Sequence, residues 1–466
     1  MMLLISSEFI FIILEFYFSN LIRQRRKIME KVCSYCETAV KIIESYDRNP
    51  SKADEILSEH FFVSFKKNPF RRICQFIFLT VLRNKFLIER VISKICRRSP
   101  RKKLECLLKA AIAEVIISDT QTFPKVVNTW VEFCKNAFSE NEAKFVNAVL
   151  RKSRSEVEDI LKNGNIALKY SFPEWLVKRW TENFGAKKTE EILANSNLPS
   201  EVFFRVSPMR EAQEVFEKYE EFFETTNFGG FYVLKSGNWD NVAELLQTKY
   251  FYAQDPSTSF AARELAPKCG WKILDLCASP GGKSRIMADL VYRDFLERGL
   301  EQGELAETLI VSVDMPKRIK KLSRNMGKVD FLKSDVVECD LLKGDLAEVL
   351  GVRNLPREYD AVFIDAPCSN TGVLRRRPDA RYRITEGDIL RCAEIQKKLL
   401  EKYCEFVRIG GKLVFSTCSI DFEENENNKE EFLKKCGDRF KCVFATTYLP
   451  SRHSDGCGVF VFERLE

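Results

Sequence analysis

Between Ile73 and Ile95 the apolar side chains fall at Ile73, Phe76, Ile77, Val81, Leu82, Phe86, Leu87, Val91, Ile92 and Ile95, with basic residues between them. This spacing keeps one face of a 3.6-residue turn apolar and predicts amphipathic helices. Helical patterning of this kind runs from about Lys31 to Lys162 with few glycines or prolines, and Pro100 and Pro124 mark helix boundaries. The run ends at Asn163-Gly164-Asn165, so residues 29–163 are expected to form a compact all-helical domain. Residues 164–250 mix helical and strand signals around Tyr170-Ser171-Phe172-Pro173-Glu174-Trp175-Leu176, Phe203-Phe204-Arg205-Val206 and a turn at Gly229-Gly230. A small α+β domain is expected there, with Trp175 and Trp180 as core anchors. After Lys272 the pattern changes to short apolar runs closed by turn residues: KILDLCAS, TLIVSVD, DAVFIDAP and KLVFSTCS, separated by helical stretches. Strand–helix alternation predicts an α/β domain with a largely parallel sheet over residues 251–466. Ligands of such sheets bind at the carboxyl ends of the strands.

Composition agrees with a multidomain globular chain. The 466 residues are 45% hydrophobic and 30% charged, which excludes a disordered or low-complexity protein. Sixteen cysteines stand against two histidines, His60 and His453, so a histidine-rich metal site or a Ser/His/Asp triad has almost no material, and no metal is expected. Only Cys33 and Cys36 form a C-x-x-C pair, with no second pair to complete a zinc module. Scattered thiols fit a reducing cytoplasm, where most serve as small buried hydrophobes. The first 28 residues are apolar, with Glu8 and Glu15 inside the run and Arg23, Arg25 and Arg26 near its end. They are read first as an over-extended start with translation from Met29, then as a membrane-surface anchor, and last as a span.

The net charge of +7 is uneven. From Lys66 to Lys103 there are 13 Lys and Arg against one acid, Glu89, a local +12 that leaves the remainder of the chain at −5. A one-sided excess on amphipathic helices points to a nucleic-acid-binding face, with Arg71, Arg72, Arg97, Arg98 and Arg101 as candidate contacts.

The chemistry lies at the strand ends. Asp275-Leu276 runs into Cys277-Ala278-Ser279-Pro280-Gly281-Gly282-Lys283, a glycine turn opening a helix, where a ligand can approach the backbone and the helix N-terminus. Its spacing matches neither a P-loop nor a dinucleotide fingerprint. Asp314 closes the second strand, where a carboxylate can accept ribose hydroxyls, and Asp335 is expected near an adenine edge; helix capping is the competing role for both. Two further strands end in Asp365-Ala366-Pro367-Cys368 and Ser416-Thr417-Cys418. Adjacent strands would bring the two thiols into one crevice, and a thiolate suits addition to an electron-poor conjugated carbon such as cytosine C6. Arg375, Arg376 and Arg377, just after the first of these motifs, are candidate phosphate contacts.

The blocks DLCASPGGKS, DAPCSNTGVLRRRPD and STCSI, preceded by Gln254-Asp255-Pro256-Ser257, resemble the RNA cytosine-C5 methyltransferases that use S-adenosylmethionine. Phe123–Asn128 through Lys144–Arg151, with KFVNAVLRK, resembles the end of a NusB-like RNA-binding domain, and with YSFPEWL the chain from about residue 30 resembles the bacterial 16S ribosomal RNA branch of that family. The resemblance implies an all-α NusB-like domain, a small α+β domain and a Rossmann-like catalytic domain. It implies Cys418 as the nucleophile, Cys368 as the residue assisting product release and Asp365 as the carboxylate holding the base. Residues 277–283, Asp314, Asp335 and Asp365 would bind the donor, S-adenosylmethionine. Ribosomal RNA would be the partner, and the protein is expected to be a monomer without an obligate protein partner or a membrane. The alternatives are the same chemistry on transfer RNA, or a catalytically silent RNA-binding or assembly factor. The sequence departs from the family pattern at Ser279 and Asn370, in an insertion around Arg293–Glu307, and at Cys457-Gly458-Val459, which replaces an aromatic pair.

Overall fold

The computed structural model describes residues 25–62 and 70–466. Residues 1–24 of the apolar N-terminal segment and Lys66 and Lys67 of the basic one lie outside the described residues. The described chain forms two compact units. One runs to Asn197 and includes Arg376–Arg383; the other comprises Leu198–Arg375 and Ile384–Glu466. Among the described residues no helix is long and apolar enough to cross a membrane.

The first unit is helical: Arg25–Arg48, Ala53–Phe62, Arg71–Arg83, Lys85–Ile95, Lys102–Ile117, Phe123–Ala137, Glu140–Asn163, Ile166–Tyr170 and Glu174–Asn197, the last a pair of helices meeting at Gly185. The sequence-predicted apolar stripe forms its core, with Ile77, Val81, Leu82, Leu87, Val91 and Ile92 buried around Trp130. The helices after Gly164 belong here too, because Asn163-Gly164-Asn165 is a tight turn, in which the Asn165 side chain accepts the Leu168 N–H at 2.8 Å. Phe172 packs on Trp180 at 5.9 Å. The expected boundary at 163/164 therefore falls within a packed unit. Residues 376–383 complete it: the Arg381 guanidinium lies 3.8 Å from the Phe172 ring centre and donates to Asn197 Oδ1 at 2.6 Å, and Tyr382 Oη donates to the Leu82 carbonyl at 2.6 Å.

One buried acid gives this unit a pH dependence. Trp130 Nε1 donates to Glu114 Oε2 at 2.6 Å, yet burial pushes the carboxyl up to about 7, against the opposing bonds from Trp130 and Tyr35. The raised folded-state value means the native state holds the proton more tightly than the unfolded chain. The associated cost is absent in acid and grows as pH rises to about 7. Glu114→Gln, which keeps an acceptor for Trp130, is expected to gain about 2 kcal/mol over the parent at pH 8 and almost nothing at pH 4.5. Thermal unfolding of both proteins at the two pH values checks this; an equal difference at both would remove the carboxyl as the cause.

The second unit holds two sheets. The smaller contains β1 (Phe203–Val206), β2 (Phe223–Thr225), β3 (Phe231–Leu234) and β4 (Phe251–Ala253), antiparallel in the order β2-β3-β1-β4. The larger contains β5 (Lys272–Leu276), β6 (Leu309–Asp314), β7 (Lys333–Glu338), β8 (Tyr359–Asp365), β9 (Val407–Thr417), β10 (Phe440–Tyr448) and β11 (Cys457–Arg464) in the order β10-β11-β9-β8-β5-β6-β7. Strands β5 to β9 are parallel, and β10 and β11 run antiparallel. Helices cover both faces, so alternate residues enter opposite cores: Leu274, Val311, Val362 and Leu413 one, Ile273, Ile310, Ala361 and Val414 the other. Burial on both faces explains why these strands read as unbroken apolar runs. The chain leaves β5 outward through β6 and β7, then returns on its other side as β8. That reversal opens a crevice above the carboxyl ends of β5 and β8. The insertion at 293–307 lengthens the Gly282–Arg298 helix and adds Gln302–Glu307, capped by Glu301 and Glu304.

Candidate active site

Strands β8 and β9 pair with Asp365 opposite Ser416, so the residues just beyond them meet. The Cys418 backbone N–H donates to Cys368 Sγ at 3.2 Å, and the two side chains are themselves hydrogen-bonded. Cys368 donates, which holds the Cys418 thiol below its usual value; Lys283 adds to this, and burial opposes both. The same bond pushes Cys368 well up, with burial and the Cys418 and Glu424 charges acting alike. Of the two thiols, Cys418 is thus the one more readily ionised and Cys368 the one that holds its proton.

Lys283 comes from the first turn of the helix after β5. It is buried, its ammonium is ion-paired with Asp365, and its charge is felt by both Cys418 and Cys457. The helix start is fixed from below: Ser284 Oγ donates to Asp275, a fully buried carboxyl that burial raises to about 7, and Ser312 Oγ donates to Ser284.

The turn 277–282 fits an adenosyl sulfonium donor. Gly281 has φ +94°, a conformation that leaves backbone bare toward a ligand. Cys277, at φ +59°, is also left-handed, and burial and neighbouring carboxylates push its thiol far up, so it acts as a neutral wall. Ala278 is buried, Pro280 exposed, and Gly282 begins the helix. Asp314, at the end of β6, accepts the Ser279 and Met315 N–H groups at 2.8 and 2.7 Å. It fastens the loop with one lone pair on each oxygen and retains others for hydroxyls.

Two expectations change. Asp335 does not lie at a strand end: it pairs with Val311 in mid-strand, and Arg353 Nη2 donates to it at 2.7 Å. Three residues of strand, roughly 10 Å, separate it from the edge of the crevice. Asp340 lies beyond the end of β7, where the neighbouring Cys339 N–H donates to the Asp314 carbonyl at 3.0 Å. Arg375 is not a surface contact. It is 2% exposed, with Nη2 at 3.7 Å from Asp255 and 3.5 Å from Asp455, and Nη1 donates to the Ser451 carbonyl. Its charge binds three loops of the crevice wall together. Arg376 is half-buried, and Arg377 is exposed.

The basic helices keep only part of their local +12. Arg71, Arg72, Arg97, Arg98 and Arg101 are exposed. Arg101, however, pairs with Glu142 at 2.6 Å, and Lys94 with Glu156 at 2.7 Å. Arg71 lies 5.7 Å from the centre of the Phe61 ring. Acids distant in sequence neutralise what a linear count leaves positive.

A model of the 16S rRNA methyltransferase RsmB/F family matches residues 262–449, and a NusB family model matches residues 36–155. A probable ribosomal RNA small subunit methyltransferase B of Bacillus subtilis is 30% identical over 325 residues, covering 66% of this chain and 67% of the relative. The chain belongs to the RsmB/F methyltransferase family. A probable ribosomal RNA small subunit methyltransferase B of Synechocystis is 27% identical over 85% of this chain and 88% of its own length. The crystal structure of PH0851 shares the fold, with a TM-score of 0.67 and 22% identity over 93% of this chain and 99% of that one.

As an RsmB/F enzyme, the protein departs from its family in ways the structure explains. Asn370 stands where glycine is commoner, and its φ is +65°; asparagine is among the few side chains that accept this region. Gly372 has no such latitude, because a Cβ there would strike the carbonyl oxygens of Gly456 and Cys418. Ser279 Oγ faces the Arg318 carbonyl at 3.4 Å. Cys457, in place of an aromatic residue, is buried behind the reactive pair, its Sγ 3.8 Å from the Ser257 carbonyl. Its thiol is pushed up by burial and by the Cys418 charge.

Sequence reading missed the network beneath the two cysteine loops. Glu424, wholly buried and raised by burial, accepts from the Ser369 N–H and Gln396 Nε2, both at 2.9 Å, and from Ser369 Oγ. Thr371 Oγ1 donates to Asp421 at 2.6 Å and accepts the Ile420 N–H at 3.2 Å. These bonds cross between the Cys368 and Cys418 loops and fix the sulfur separation. The only signal in sequence was polar residues clustered after an apolar strand, which a loop equally explains.

Proposed function

We propose that this enzyme methylates C5 of a cytosine in 16S ribosomal RNA, the base at position 967 being the target that the resemblance implies. The observation that carries the reading is the hydrogen-bonded pair of Cys418, whose thiol is held below its usual value, and Cys368, beside the Lys283–Asp365 ion pair. S-adenosylmethionine, when bound by residues 277–283, Asp314 and Asp340, supplies an electrophilic methyl group. Asp365 accepts a hydrogen bond from the target base and favours its protonated N3, which takes up the charge that addition would place on the ring. Cys418 adds to C6 and makes C5 carbanion-like; C5 takes the methyl group. Adduct formation consumes the thiolate and removes the largest cause of the raised Cys368 value, so Cys368 becomes able to release its own proton to solvent water. It then accepts the C5 proton as the C6–sulfur bond breaks, and Cys418 leaves as thiolate. The base must leave its stack to expose C6, so an opened or looped RNA is the substrate. The helical unit would hold it through Arg71, Arg72, Arg97, Arg98 and Arg101, with Arg376 and Arg377 as further contacts.

Bisulfite mapping of 16S and transfer RNA from cells with and without the protein tests the proposal. Loss of one 5-methylcytidine from 16S RNA alone is expected. A mark lost only from transfer RNA would move the substrate class, and no lost mark at all would remove the activity.

A further inference from the structure

The helix Pro316–Met326, which follows Asp314, reads PKRIKKLSRNM. Ile319, Leu322 and Met326 face the sheet, with Leu322 and Met326 buried, while Lys317, Arg318, Lys320, Lys321 and Arg324 are all exposed. Lys317, Lys320, Lys321 and Arg324 stand at i, i+3, i+4 and i+7, a single stripe along the outer face. No acid occurs between Met315 and Val329, and none of the five basic side chains makes an ion pair among the described residues. The flanking carboxylates are engaged elsewhere: Asp314 holds the donor loop, and Asp330 pairs with Lys249 at 2.6 Å.

This arrangement works against the helix. Lys317 with Lys321 and Lys320 with Arg324 set like charges one turn apart, and Lys317 and Arg318 place cations at the positive end of the macrodipole. Elsewhere the chain matches such positions with acids, as in Glu37–Lys41, Lys85–Glu89 and Arg210–Glu214. The stripe is also held rigidly beside the crevice: Asn325 Nδ2 donates to the Pro280 carbonyl at 2.6 Å, and Ser279 Oγ to the Arg318 carbonyl. Positive potential continues past its end to Lys328, whose amine is held down by burial and by Arg285 and Arg324. A row of cations without internal partners, fixed against the donor loop, is complementary to a row of phosphates.

We propose that the stripe Lys317–Lys320–Lys321–Arg324 is a docking surface for the sugar–phosphate backbone of RNA flanking the target base. This rests on the reading of the protein as an RNA methyltransferase and adds a contact surface outside the basic helical unit. Backbone contacts of this kind position the strand without reading its sequence.

The test uses the full-length protein with Lys317, Lys320, Lys321 and Arg324 changed together to Gln, beside a variant carrying Arg at all four positions. RNA affinity for a 16S fragment is measured across salt concentrations, together with KM for RNA, kcat and S-adenosylmethionine affinity. The Gln variant is expected to lose about 3 from the slope of log affinity against log salt and at least tenfold in KM for RNA. Its donor affinity and kcat at saturating RNA should be unchanged, and the Arg variant should behave as the parent. An unchanged slope in a Gln variant that still binds donor would overturn the proposal. So would lost binding to anionic lipid vesicles with RNA affinity intact. Product analysis of the parent separates the two readings: a parent that binds RNA through the stripe yet forms no 5-methylcytidine would sink the chemistry and leave the surface standing.

Discussion

Cys418→Ala is expected to abolish methyl transfer while leaving donor binding intact. The C5 carbon of an aromatic cytosine is a weak nucleophile, and only addition at C6 turns it into a carbanion equivalent. The side chain we propose to add is Cys418, whose thiol is lowered by its hydrogen bond from Cys368 and by Lys283. Without it the remaining groups can bind and orient but cannot activate the ring, so a loss of at least about 10³-fold follows, equivalent to about 4 kcal/mol of barrier. Single-turnover transfer of labelled methyl measures this, and transfer to C5 at the parent rate would falsify the mechanism. A pH signature accompanies it. The lowered thiol places the acid limb of the parent's rate profile below that of an ordinary cysteine. Lys283→Met removes a charge that favours the thiolate, so the limb should move to higher pH.

Cys368→Ala is expected to trap a covalent protein–RNA adduct. Cys418 would still add and C5 would still be methylated, but the group placed to accept the C5 proton would be missing. Turnover should fall by at least about 10²-fold, with a denaturant-resistant complex containing methylated RNA accumulating toward one per enzyme. Adduct formation should itself depend on pH more steeply than in the parent. Removing Cys368 removes the largest cause holding the Cys418 thiol down, so the adduct should form faster at pH 8.5 than at pH 7. The Cys368→Ala, Cys418→Ala double variant should form none. Undiminished turnover without a complex would give Cys368 a purely structural role.

Local signals were legible where the chain itself imposes them. Apolar runs closed by turn residues located four of the five parallel strands, β5, β6, β8 and β9, and with them the ends at which Asp314, Asp365, Cys368 and Cys418 stand. The left-handed turn at Gly281 followed from its glycine. Asp335 stands outside those four apolar runs, so nothing local marked it as lying within a strand; its pairing with Val311 puts it three residues short of the strand's end. Arg375 looked like a phosphate contact because three consecutive arginines look alike in a string. Asp255 and Asp455, 120 residues before and 80 residues after it, bury the first of them.

Charge followed the same division. The histidine-poor composition already left almost no material for a histidine-metal site or a Ser/His/Asp triad, and the basic segment already marked an anionic partner. Pairing with Glu142, Glu156 and Asp159 reduced that segment's free charge, while folding left the Pro316–Met326 stripe without partners. The sequence by itself determined which residue types could react and on which elements they stand, because strand ends, glycine turns and helical stripes are set by near neighbours. Only the tertiary structure decided which thiol is held low and which high, which carboxylate stands beyond a strand end and which cations remain unpaired. Those depend on burial and on charges brought close from distant positions, and Coulomb interactions and desolvation follow distance in space and not separation along the chain.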